Sequence, residues 1–227
     1  MAGVLIVLRN IAISDKVISA LLGVAAGVML SITCFSLIAP CFAESSLVVV
    51  VAGIIAGAVF LFGIDRAVPH EHKQGMERFQ EHASAIKWIA IAALIHNIPE
   101  GCAVGVGYSQ GDAGQGLSLA LGIGFQNILE GVVIALALQK LGIKGAKLFG
   151  IVLVTVLVQP LAAFLGGSLV AFISGSLAFM LAFTAGGMLF VVSSEMIPES
   201  HTQGNERFAT FGIIVGFVIM MVINSIL

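Results

Sequence analysis

Leu47 to Ile64 reads LVVVVAGIIAGAVFLFGI, an unbroken apolar run that ends only at Asp65 and Arg66. A helix rising 1.5 Å per residue needs roughly 20 such residues to cross the hydrocarbon core of a bilayer, so this stretch, carried on to about Val68, reads as a membrane span. Working outward, comparable runs occur at about Val17 to Pro40, Ala85 to Ser109, Gln115 to Gln139, Ala146 to Phe172, Leu177 to Glu199 and Phe208 to Leu227. The expectation is an all-α polytopic membrane protein, one domain over residues 1–227, with seven complete transmembrane helices. Ahead of them Ala2 to Leu8 is apolar but too short to span, and residues 1–16 read as the remnant of a truncated first helix. The same opening stretch has no cleavage pattern of a signal peptide.

Composition agrees with lipid as the main solvent. Of 227 residues, 59% are hydrophobic and 10% charged, at a mean hydropathy of +1.13, outside the range of water-soluble domains. A formal net charge of -2 gives no basic surface for nucleic acid. The three cysteines, Cys34, Cys41 and Cys102, lie far apart in apolar surroundings, which predicts packing rather than disulfides or a thiolate metal site.

The ten Lys and Arg residues fall on alternate connections: Arg9 and Lys16; Arg66, Lys73, Arg78 and Lys87; Lys140, Lys144 and Lys147; Arg207. The positive-inside rule then makes these connections cytoplasmic and leaves the carboxyl terminus outside. The cytoplasmic loop at 69–84 carries His70, His72 and His82, which either capture metal loosely or belong to a solvated loop. Glycines four apart, Gly23 with Gly27, Gly53 with Gly57 and Gly101 with Gly105, predict close helix packing.

Two motifs carry the chemistry. His96-Asn97-Ile98-Pro99-Glu100-Gly101 is followed thirty positions later by Gln126-Asn127-Ile128-Leu129-Glu130-Gly131. Each pairs a polar residue with a Glu four residues on, which places both on one helix face. An ionised carboxylate at mid-bilayer costs about 3 kcal/mol, so Glu100 and Glu130 need protons, water or a bound cation. If the two spans face each other, they supply an imidazole, two carboxylates and an amide oxygen, with Asn97 and Asn127 beside them. That set suits zinc, iron, manganese or cadmium, and its lack of thiolates argues against copper(I). Pro99 leaves the carbonyl of Ile95 without its helical donor, predicting a loosened turn. His96 alone reads equally as a hydrogen-bonded packing residue; the repeated Glu shifts the reading to metal. Gln159 before Pro160 is either a third wall of the site or a hydrogen-bonded kink. Glu195 and Glu199, four apart near the cytoplasmic end of their span, either pass ions inward or form a solvated helix end.

The paired motifs resemble the ZIP (Zrt/Irt-like protein) divalent metal transporters. Leu22 to Leu30 and Glu195-Met196-Ile197-Pro198-Glu199 resemble its GufA-like bacterial branch. The resemblance implies an eight-span ZIP-like helix bundle, commonly a homodimer, in a bacterial inner membrane. It also implies zinc transport toward the cytoplasm by an elevator-like shift of one helix bundle against another. His96, Glu100, Gln126 and Glu130 match one position of a two-metal site. Asn97, Asn127 and the shared Glu100 and Glu130 match the other, Gln159 falls where many members have Glu, and Glu195 matches an exit-side acid. Gln159 removes a negative charge from the second position, so one firm metal and one weak or absent metal are expected. Leu129 stands where the second motif often has Pro, implying a less broken helix.

Other functions remain as expectations to be weighed: an exporter or channel, a metal sensor or non-transporting subunit, and an intramembrane metalloenzyme. The last fits poorly, because a helical zinc hydrolase uses HExxH, whereas Asn97 follows His96 and Glu occupies position 100.

Overall fold

A computed structural model of the chain describes residues 13–67, 82–111, 113–202 and 204–226, with the side chains of 82–85 and 113 excepted. Residues 1–12 and the loop histidines His70 and His72 lie outside the described residues, as does the predicted remnant of a first helix apart from its last few positions.

Seven helices in the described residues are long and apolar enough to cross a membrane. We number them α1 (Asp15–Glu44), α2 (Leu47–Ala67), α3 (His82–Tyr108), α4 (Ala113–Lys140), α5 (Gly145–Phe172), α6 (Leu177–Ser200) and α7 (Glu206–Ile226). Each coincides with a predicted span to within a few residues, because bilayer thickness sets both run length and helix length. Large apolar side chains such as Val48, Ile55 and Phe60 on α2, Leu161 and Phe164 on α5, and Phe211 and Ile214 on α7 are exposed, as lipid-facing positions require.

The helices associate chiefly in three pairs, α1 with α7, α2 with α6 and α3 with α5. Every pair meets through glycine. A Cβ on Gly27 would stand 2.0 Å from the carbonyl oxygen of Ile213, one on Gly57 1.8 Å from that of Phe183, and one on Gly105 1.9 Å from that of Ala163. Lipid gives no hydrophobic drive between helices, so this backbone approach, with its dense van der Waals contact, is what holds each pair. All three glycine spacings singled out in the sequence mark these contacts.

The charged ends gather on one side. Lys140 at the end of α4 reaches Asp15 at the start of α1 at 3.7 Å, and the Lys16 ammonium lies 5.6 Å from the ring centroid of Phe208 on α7. This agrees with a single basic face.

Two local departures from the expected helices matter. α3 runs through Pro99 and α5 through Pro160 without interruption. Instead, α1 and α6 widen into π-helical turns at Ile32–Ile38 and Val192–Met196, each followed by a turn that begins with a proline, Pro40 or Pro198. A proline ring clashes with the carbonyl four residues back, and a wider turn relieves that clash. Thr33 and Ser194 help by donating to the carbonyls of Met29 and Phe190, at 2.7 Å each.

Candidate metal site

α3 and α4 carry the two motifs near their midpoints, and the fold buries the predicted faces. His96, Asn97, Glu100, Gln126 and Glu130 are buried, with Glu100 and Gln126 fully inaccessible. Asn127, Gln159 and Glu195 are half-buried around them. Gly101 makes this approach possible: a Cβ there would lie 2.3 Å from the carbonyl oxygen of Gln159, so α5 sits against α3 one residue beyond Glu100. Pro99 packs toward α6, its Cβ 3.4 Å from where a Cβ of Gly187 would stand.

The polar side chains form two linked groups. In the first, His96 lies between two carboxylates, with Nδ1 3.5 Å from Glu130 Oε1 and Nε2 hydrogen-bonded to Glu195 Oε2. Both ring nitrogens thus face carboxylate oxygens, an arrangement that suits a positive charge at this point, whether a proton or a metal ion supplies it. In the second group both oxygens of Glu100 accept from amides, Oε1 from Gln126 Nε2 at 2.6 Å and Oε2 from Gln159 Nε2. Gln159 and Asn127 also exchange hydrogen bonds in both directions, each at 3.0 Å. Gln126 joins the groups, since its Nε2 also lies 3.5 Å from Glu130 Oε2.

Gln126 Oε1 and Asn97 Oδ1 are among the buried oxygens that have no hydrogen-bond partner within the described residues. A buried carbonyl oxygen left unpaired is costly, and a cation is the natural partner for a lone pair beside carboxylates. Among the described residues no three His, Cys, Asp or Glu side chains form a ready-made cage. The reason is geometric: Glu130 and Glu195 face different nitrogens of the His96 ring, so one ion meets all of them only after a hydrogen bond gives way.

The sequence put Glu195 among the candidate metal residues near the cytoplasmic end of its span, and the resemblance matched it to an exit-side acid. The structure brings it onto His96 from within the π-turn at Val192–Met196 of α6. Pro198 was the available signal. Glu199 lies one turn further on and is exposed.

Outward of Gln126 on α4, Leu119 and Ile123 are buried in one apolar cluster with Met29, Ile32 and Met220. Beyond that plug Ser36 and Ser118 both donate to Asn224 Oδ1, at 3.0 and 3.1 Å. Sequence reading missed this knot between α1, α4 and α7, since lone polar residues near span ends carry no spacing signal.

Among the described residues, seven spans around a buried histidine, carboxylate and amide centre define a polytopic membrane protein with a polar core. Residues 69–224 match the family model described as ZIP zinc transporter, and the chain belongs to that family. It is 38% identical to the zinc transporter GufA of Myxococcus xanthus over 77% of this chain and 70% of that one. Identity to the zinc transporter ZIPB of Bordetella bronchiseptica is 35%, over 99% of this chain and 76% of the relative. For the zinc transporter ZupT of Corynebacterium aurimucosum it is 28%, over 91% and 84%.

Proposed function

We propose that this protein carries divalent metal, zinc foremost, across a bacterial cell membrane into the cytoplasm, with the ion held by His96, Glu130, Glu100 and Gln126 and handed to Glu195. The observation that carries the reading is His96 held between two acids beside the unpartnered oxygens of Gln126 and Asn97, at mid-membrane, in a chain whose relatives are named as zinc transporters. Nitrogen and oxygen donors without thiolate suit zinc, and admit iron, manganese and cadmium as competitors.

Direction is supported by the placement of the acids. Glu195 and Glu199 continue from His96 toward the basic face, while on α4 the positions outward of Gln126, Leu119 and Ile123, are buried in the apolar core. Tight glycine-packed pairs with lighter contacts between them favour movement of whole helix groups, in keeping with an elevator-like shift. A homodimer burying part of the exposed apolar surface belongs to the same reading, and cross-linking in native membranes tests it.

The deciding experiment reconstitutes the purified chain in sealed vesicles with an imposed zinc gradient. We expect saturable zinc flux in the wild type that is lost in His96→Ala. Zinc binding without flux would make the protein a sensor or a non-transporting subunit, and equal flux in both proteins would remove His96 from the pathway.

A further inference from the structure

We propose that Gln159 closes the second cation position from within and so limits each chain to one bound divalent ion. The inference rests on the functional reading above and adds what sets its stoichiometry. A second ion beside the first would draw on the far oxygen of Glu100, on Asn127 and on Gln159, and in this chain each of those oxygens already accepts an amide hydrogen bond within the group. Glu100 Oε2 accepts from Gln159 Nε2. Asn127 Oδ1 accepts from the same nitrogen at 3.0 Å, and Gln159 Oε1 accepts from Asn127 Nδ2 at 3.0 Å.

The orientation of the Gln159 amide is set by its neighbours. Turning it over would press its oxygen against Glu100 Oε2 and replace an attraction to a carboxylate by a repulsion. The amide hydrogens thus give that oxygen part of the positive charge a metal would bring. Gln126 is the contrasting case: its nitrogen also serves carboxylates, but its Oε1 is buried and unpartnered. Of the two glutamines that touch Glu100, one has an oxygen without a partner and the other has its oxygen bonded to Asn127. Gly101 keeps Gln159 in place, because the Gln159 backbone rests against it at a distance no side chain would allow.

The test counts zinc per chain by elemental analysis of the full-length protein in detergent, after equilibration with zinc and gel filtration. One ion is expected in the wild type and two in Gln159→Glu, which exchanges the donor for a carboxylate. Gln159→Leu should keep one ion and bind it roughly tenfold more weakly, through loss of the charge-assisted hydrogen bond on Glu100. Two ions in the wild type, or one in a monodisperse Gln159→Glu protein, overturns the proposal. If Gln159→Glu does not survive purification, the leucine variant decides, and affinity equal to wild type counts against it. Zinc missing from the wild type altogether breaks the transport reading itself, whereas one ion in both wild type and Gln159→Glu leaves that reading standing and removes only this inference.

Discussion

The two motifs share a spacing and a burial depth, yet they do different work. On α3, His96 meets carboxylates with both ring nitrogens and Glu100 is wrapped by amides; on α4, Gln126 spends its nitrogen on Glu100 and Glu130 and leaves its oxygen unpartnered. The difference comes from the residue four positions before each Glu and from the neighbours brought by α5 and α6. A repeat in sequence is therefore not a repeat in chemistry, because each half is completed by helices outside the repeat.

The largest effect should come from the residues that offer an ion a charge or a ring nitrogen. His96→Ala and Glu130→Ala should each lower zinc uptake by about 100-fold or more, since loss of outer partners alone costs 10- to 100-fold in metal affinity. Initial rates in vesicles measure this. If Gln126→Ala proved as damaging as His96→Ala, the contrast between the halves would collapse.

The comparison extends to how the motif helices are held. Gly105 lies against Ala163 with no room for a methyl, whereas nothing lies within 4 Å of where a Cβ of Gly124 would stand. Gly105→Ala should cost about 1–3 kcal/mol by forcing α3 from α5. Gly124→Ala should be neutral or stabilise by up to about 1 kcal/mol through helix propensity. Thermal unfolding in one detergent compares the two, and equal loss would mean that the glycine contacts do not hold α3 to α5.

Much of this was legible in the sequence, and the limits have physical causes. Seven spans could be read because membrane thickness imposes a run length, and Gly101 and Gly105 marked a close contact because lipid leaves helices little else to pack with. His96 with Glu100 and Gln126 with Glu130 followed from helical spacing. Three things did not. The contact of Glu195 with His96 falls within a π-turn, and periodicity arguments, which assume regular helices, do not give its direction. No break appears at Pro99 or Pro160, where looser turns were expected, since a proline inside a well-packed helix can be accommodated without one, and the π-turns lie instead on α1 and α6. The opposed amides of Asn127 and Gln159 depend on the meeting of α4 with α5, which no local spacing encodes.

Next in size comes the bridging glutamine. Gln126→Ala removes a donor to both Glu100 and Glu130 and an oxygen open to the ion, but no charge. A loss of roughly tenfold in zinc affinity is expected, near the worth of one hydrogen bond to a charged group. Calorimetric titration of the purified protein measures it. An effect below twofold would mean that the unpartnered oxygen does not meet the ion, and the site would reduce to His96 and its acids.

The smallest effect tests whether burial, rather than charge itself, gives the centre its weight. Lys140 and Asp15 form an ion pair at 3.7 Å with both side chains more than half exposed, on the basic face. Water screens such a pair and side-chain entropy opposes it, so exposed pairs contribute between nothing and about 1 kcal/mol. Lys140→Ala should leave zinc uptake within twofold and shift stability by no more than about 0.5 kcal/mol. Should the variant instead lose transport, the ends of α1 and α4 would have to be coupled during the cycle. The contrast between the two motifs would then be only part of what moves the ion, because a contact far from every ligand would be governing it.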